Sequence, residues 1–227
     1  MDTLLTPPFW TALGSIILAN VLLSGDNAVV IAMAARGLPA SQQKKAILFG
    51  SGAAIVMRIV LTLIAVRMLG LPYLKLLGGL ALLYIGANLM SEEAKPHEQH
   101  AKPIGIATAV RTILVADLVM SLDNVLAVAA AAQGNTVLLV VGLLVSIPLI
   151  VFGSTLILTL MERFPVIIGA GAALLGWLAG EMMLTDPALH RWFGNLSEAV
   201  VRAGGILGAV LVVIVGKQLQ RRQKKPV

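Results

Sequence analysis

The sequence predicts an all-α polytopic membrane protein: seven transmembrane helices, built as two inverted three-helix repeats plus one extra helix. Three observations carry that prediction. Of 227 residues, 58% are hydrophobic and 12% are charged, where a soluble domain carries about 25% charge; too few charges exist to face water on all sides. The apolar residues fall into seven stretches, each near the roughly 20 residues that cross a bilayer as a helix. And a polar signature inside the first stretch returns in the fourth, 97 residues later.

The stretches run over about 8–35, 46–69, 72–90, 104–132, 136–160, 165–184 and 199–219. Lipid offers backbone N–H and C=O groups no partner, so only helices and closed barrels span it. Long apolar runs without strand-like alternation select helices. The first stretch reads as a retained span rather than a cleaved signal peptide, because Asp2 is the sole charge before it and it is too long for an h-region. The whole chain, 1–227, forms a single transmembrane domain. Repeat one covers about 8–90, a polar loop 91–103, repeat two about 104–184, the extra helix about 199–219, and a basic tail 217–227. Between the last two spans, Thr185 to Glu198 is mixed in character and is expected to lie along the interface as a short amphipathic piece.

Loop charge sets the orientation. With the N-terminus outside, the inner segments hold Arg36, Lys44, Lys45, Lys95, Lys102, Arg111, Arg163, Lys217, Arg221, Arg222, Lys224 and Lys225, twelve against Arg67, Lys75, Arg191 and Arg202 outside. The expected placement is a bacterial inner (plasma) membrane, N-terminus outside and C-terminus cytoplasmic, with Trp10, Tyr73, Trp192 and Phe193 as outer interfacial anchors. The formal charge of +6 therefore reads as an orientation signal, not a nucleic-acid footprint. The absence of cysteine excludes disulfides, thiolate metal sites and cysteine catalysis.

Residues 16–37 and 113–134 align at an offset of 97, pairing Ser24 with Ser121, Asp26 with Asp123 and Asn27 with Asn124, while Asn20 faces Asp117. A weaker echo at an offset of 93 sets Gly78, Tyr84, Asn88 and Met90 opposite Gly171, Trp177, Glu181 and Met183. The unit is three helices long. An odd number of crossings makes the second copy enter from the other side, which is the inverted-repeat architecture common among secondary transporters.

An ionisable residue near the bilayer centre costs at least about 2.5–3.5 kcal/mol on insertion scales, so Asp26, Asp117 and Asp123 mark a function. Asp117, Ser121 and Asn124 share one helix face, as do Asn20, Ser24 and Asn27. Asp26 and Asp123 lie about 100° from those faces in an unbroken helix. An interruption at 24–27, where Ser-Gly-Asp-Asn supplies a breaker and capping residues, would bring the groups together. Carboxylate, amide and hydroxyl oxygens are hard ligands, suited to Mg²⁺, Ca²⁺ or Mn²⁺. The candidate metal set is Asp26, Asp123, Asp117, Asn27 and Asn124, with Asn20, Ser24, Ser121, Arg58 and Glu181 as possible additions. Three aspartates and the mid-span Arg58, expected to be the counter-ion of one of them, leave a net charge that balances one divalent cation. Asp and Asn in spans can also be structural, as inter-helix hydrogen bonders, a reading that suits the asparagines better than the aspartates. Glu181 sits near a helix end where it can snorkel, His97 and His100 fall in a solvated loop, and the methionines read as packing.

The Leu23-Ser-Gly-Asp-Asn27-Ala-Val-Val and Ala116-Asp117…Ser121-Leu-Asp123-Asn124 motifs resemble those of the TerC family of bacterial integral membrane proteins, in its short seven-helix form. The resemblance covers nearly the whole chain. It implies an exporter built from three-helix repeats, a role in manganese efflux and, in some relatives, metal supply to exported enzymes. It also implies that Asp26, Asn27, Asp117, Asp123 and Asn124 line the metal path; some relatives carry an acidic residue where this chain has Asn20.

The expected function is export of a divalent metal cation, Mn²⁺ favoured by the resemblance, through a midplane carboxylate/amide site by alternating access. The metal is substrate, no organic cofactor is expected, and protons can serve as the counter-ion. Expected partners are the lipid bilayer, the transported metal ion and a second copy of the chain in a homo-oligomer, with no nucleic acid. Two alternatives stand beside this: an exporter of a small organic solute such as a basic amino acid, and a non-transporting membrane assembly or metalation factor using the 91–103 loop and basic tail. An enzyme is not expected, because no nucleophile–base pair is visible.

Overall fold

The computed structural model describes residues 7–22, 25–68, 71–91, 105–131, 135–194 and 196–223. The described residues form helices and no strand: α1 (Pro7–Leu22), α2 (Gly25–Arg36), α3 (Ala40–Met68), α4 (Leu74–Ser91), α5 (Ile106–Ala131), α6 (Thr136–Arg163), α7 (Val166–Leu184), α8 (Pro187–Phe193) and α9 (Glu198–Gln223). Five of them, α3, α4, α6, α7 and α9, are long and apolar enough to cross a membrane. The first expected span carries α1 and α2, with 23–24 outside the described residues. The fourth is α5, whose 26 residues span about 39 Å at 1.5 Å per residue. The polar loop lies outside the described residues from 92 to 104, as do 224–227 of the tail.

Large apolar side chains point outward along these helices. Phe152 and Leu207 are each 70% exposed, and Val56, Val60 and Leu63 of α3 and Val210, Leu211 and Ile214 of α9 are also exposed. Such faces suit hydrocarbon. Trp10, Tyr73, Trp192 and Phe193 are exposed as well, as interfacial aromatics are. Hydroxyls inside the spans bond back to their own helices, Ser146 to the Gly142 carbonyl (3.0 Å) and Thr155 to that of Val151 (2.7 Å). That satisfies polar groups where no water is at hand. Ser146 does so two residues before Pro148, which removes a helical N–H.

The helices pack as two groups. One comprises α1, α2, α3, α5 and α6, with α3 on α5 and α1 and α2 on α6; the other comprises α4, α7 and α9. Glycines set the closest approaches. A Cβ on Gly176 or Gly180 of α7 would meet the backbone of Gly208 or Gly204 of α9, so the two helices touch backbone to backbone, as small-xxx-small pairs permit. Gly50 lies against Ile113, and Gly142 against Ile16; the Ala179 carbonyl faces Gly79, and that of Ala172 faces Gly86.

The α4–α7–α9 group is tied at both ends. The Gln220 amide donates to the Met90 carbonyl at 2.7 Å. At the opposite end the buried Asp186 carboxylate accepts the N–H groups of Tyr73 (2.9 Å), Leu76 (3.0 Å) and Ala188 (2.7 Å). It thereby caps α4 and α8 together and holds Tyr73 at φ 69°, a left-handed conformation uncommon for a residue other than glycine. The two ties also set direction: α4 and α9 run parallel, and α7 runs against both. The segment between the last two spans, Thr185 to Glu198, holds α8.

Candidate metal site

Arg58 stands mid-way along α3 with only 2% of its surface exposed. Its Nη2 pairs with Oδ1 of Asp117 on α5, and its Nε donates to the Ser121 Oγ at 3.0 Å. Ser121 donates in turn to Oδ2 of Asp117 at 3.3 Å. The i, i+4 spacing of Asp117 and Ser121 puts both on the face that meets α3, as the sequence predicts. A buried guanidinium persists only when paired and hydrogen-bonded, and here the pair is neutral as a unit. Arg58 is thus a counter-ion of Asp117.

Asp26 lies in the first turn of α2, and its carboxylate accepts the Asn27 N–H at 2.8 Å. It lines a cavity of about 340 Å³ between α2 and α5 on one side and α4, α7 and α9 on the other. Met120, Met182, Glu181, Glu198 and Arg202 also line it. The mouth of the cavity is the end where α7 finishes and α9 begins, where Arg202 holds Glu198 at 2.5 Å. Beside Asp26, the Asn27 side chain is buried, and neither its amide nitrogen nor its oxygen has a partner among the described residues. A buried orphan amide calls for an explanation.

A second cavity, about 70 Å³, lies at the other end of the same seam, lined by residues of α2, α4 and α5 including Ala34, Tyr84, Asn88, Thr108 and Thr112. Asp26 and Ala34 lie on the walls of the two cavities, eight residues apart on α2, which is about 12 Å of helix rise.

The structure therefore brings Arg58, Asp117 and Ser121 together and sets Asp26 and Glu181 on one cavity wall. Asp123 and Asn124 are helical residues of α5, which runs unbroken through them, and Asn20 is a residue of α1; the side chains of all three lie outside the described residues, as does Ser24. Among the described residues no three His, Cys, Asp or Glu side chains gather closely enough to hold a metal. His97 and His100 fall outside the described residues. Sequence reasoning missed Asp186. Burial raises the proton affinity of its carboxyl, but the backbone N–H donors of Ala188, Tyr73, Leu76 and Lys75 outweigh it and hold the group below the usual carboxylate range. Asp before Pro187, at a helix start, was the local signal; its bonds to Tyr73 and Leu76 span more than a hundred residues and left none.

Residues 5–225 match the profile of the TerC family of integral membrane proteins. The chain belongs to the TerC family. Among relatives in that family, it is 48% identical over 171 residues to the uncharacterized membrane protein YjbE of Bacillus subtilis (strain 168), covering 75% of this chain and 78% of YjbE. It is 27% identical over 234 residues to the uncharacterized membrane protein YceF of the same organism, covering 98% and 89%. With the inner membrane protein YgdQ of Escherichia coli (strain K12) it shares 24% over 176 residues, covering 70% and 74%. No solved structure matches the chain. The TerC chain described here is thus an integral membrane protein with several spans, and its relatives include a protein of the inner membrane.

Proposed function

We propose that this TerC protein is a divalent-cation transporter that exports Mn²⁺ across a bacterial inner membrane by alternating access, with Asp26 and Asp123 holding the ion near the midplane. The observation that carries the reading is the placement of Asp26 on the wall of a cavity that has a smaller counterpart at the other end of the same seam. Leu178, Glu181 and Met182 line the large cavity; Ile85, Asn88 and Leu89, each 93 positions earlier, line the small one. Residues that the repeat would pair thus line two cavities of unequal size, which supports a transporter open more to one side than to the other.

The helix contacts support the inverted repeat behind this reading. The Ile16–Gly142 contact has its image in Ile113–Gly50, and Gly79–Ala179 has its image in Ala172–Gly86. Exchange of the halves turns each contact into the other. The reading counts seven crossings, with α1–α2 as the first and α5 as the fourth, N-terminus outside.

A hard carboxylate and the orphan Asn27 amide suit a divalent cation, while the Arg58–Asp117 pair stays neutral, so that Asp26 and Asp123 match the charge of one such ion. Protonation of either aspartate releases the ion and offers a route for proton exchange. The movement follows the seam, with α4, α7 and α9 shifting against the remaining helices, and so cuts across both repeats instead of separating one from the other. Cellular manganese in cells expressing wild type, Asp26→Asn or Asp123→Asn tests the reading. Wild type lowers accumulation and both variants lose that effect; variants that export as wild type does would show the ion path to lie elsewhere.

A further inference from the structure

Two methionines, Met120 and Met182, line the cavity that Asp26 lines. Met182 is accounted for by packing, since its methyl closes on Gly78, where a Cβ would come within 2.8 Å of it. Met120 is different. It is buried (6% exposed), lines the cavity with Asp26, and lies on α5 one turn from both Asp117 and Asp123. Asp26 therefore shares the cavity wall with Met120, with the orphan amide of Asn27 next in the chain.

We propose that the Met120 thioether is the specificity element of the cation site, admitting a transition-metal ion and disfavouring Mg²⁺ and Ca²⁺. The inference rests on the cation-transport reading above and deepens it. Mg²⁺ and Ca²⁺ are hard ions that take oxygen ligands almost without exception, and Mg²⁺ gives up its waters reluctantly. A cavity wall that presents sulfur where such an ion needs an oxygen leaves it short of a ligand. Mn²⁺ accepts carboxylate and amide oxygens and tolerates a sulfur among them, and a softer ion such as Cd²⁺ gains from it. Oxygen ligands alone do not separate Mn²⁺ from Ca²⁺ and Mg²⁺; one soft donor among them does.

The test is competition binding on the purified full-length chain, with free Mn²⁺ followed by its paramagnetic resonance signal while Ca²⁺, Mg²⁺ or Cd²⁺ is added. Wild type is expected to yield Mn²⁺ readily to Cd²⁺ and poorly to Ca²⁺ and Mg²⁺. Met120→Leu conserves volume and keeps Mn²⁺ binding, while both preferences narrow about tenfold, Cd²⁺ weakening and Ca²⁺ strengthening relative to Mn²⁺. Met120→Gln, with an amide oxygen in place of sulfur, shifts the Ca²⁺ ratio at least as far and gives a second reading should the leucine variant fail to fold. Met90→Leu, whose sulfur lies against Gly216 away from the cavity, leaves the ratios as they were. If Asp26→Asn abolishes Mn²⁺ binding but the Met120 variants keep wild-type ratios, this inference alone is overturned. If Asp26→Asn binds Mn²⁺ as wild type does, the underlying site is wrong and both fall together.

Discussion

Arg58 of α3 and Asp117 of α5 form a buried ion pair that Ser121 completes, bonded to both partners. Removing one partner of such a pair strands the other charge, at a cost of about 3–5 kcal/mol. Arg58→Gln is therefore expected to lower stability in detergent by that order. The double variant Arg58→Gln/Asp117→Asn, which restores neutrality, recovers most of the loss. Thermal unfolding of the two proteins checks this, and equal destabilisation in both would show that the pair contributes through shape rather than charge.

Glu181 and Asn88 line the large and the small cavity respectively. A carboxylate near a cavity mouth concentrates cations, an effect that salt screens over about 8–10 Å at physiological ionic strength. Glu181→Gln is expected to raise the apparent Mn²⁺ KM a few-fold at low salt on the face where that cavity opens, and to leave it nearly unchanged at high salt. Sided transport assays in proteoliposomes at two ionic strengths distinguish this from a change in the ion site, which salt would not mask.

Backbone contact between α7 and α9 leaves no room at Gly180, where an added Cβ would overlap the Gly204 carbonyl. Gly180→Val should part the helices and cost about 1–3 kcal/mol or more, the range for overpacking. By contrast, Gly169 of the same helix has open space at its Cβ position. There Gly169→Ala is expected to be neutral or to stabilise by about 0.5–1 kcal/mol, since glycine is the poorer helix former. Melting temperatures of the two variants should move in opposite directions or, at the least, differ clearly in size.

Asp186 accepts backbone N–H groups from the residues that begin α4 and α8. Its carboxyl is held below the ordinary value of 3.8, so its stabilising effect is complete above that pH and is lost as pH falls through the lower folded-state value. Asp186→Ala should cost about 1–3 kcal/mol at neutral pH by orphaning buried donors. The difference from wild type should shrink below pH 4, and a pH series of melting temperatures reads it directly. A difference that stays constant down the series would assign the effect to packing.

Much of the fold is legible in the residues because a bilayer imposes a one-dimensional rule: a helix must be apolar for its full length, and each stretch declares itself without reference to any other. Within α5 the face shared by Asp117 and Ser121 follows from helical spacing, and a mid-span arginine had to find a carboxylate. The spacing of Gly176 and Gly180 with Gly204 and Gly208 was also there to be read as a helix contact. The Ser-Gly-Asp-Asn and Ser-Leu-Asp-Asn motifs look alike, yet Asp26 falls in the first turn of α2 while Asp123 falls inside the continuous α5; the glycine present in one and absent from the other is the local difference.

What the sequence by itself determined was the environment of this protein, the helices that suit it, and the few polar residues too costly in lipid to be there without a partner or a task. What only the tertiary structure decided was how those residues are divided. Arg58 neutralises Asp117, Asp26 lines a cavity with Met120 and Glu181, and α4, α7 and α9 close together across the boundary between the halves. The physical reason is that hydropathy and helical period act along the chain. Pairing, cavities and shared walls depend on which faces of distant helices meet, and in a membrane those faces are chosen by close packing and hydrogen bonding, which leave only a faint trace in linear order.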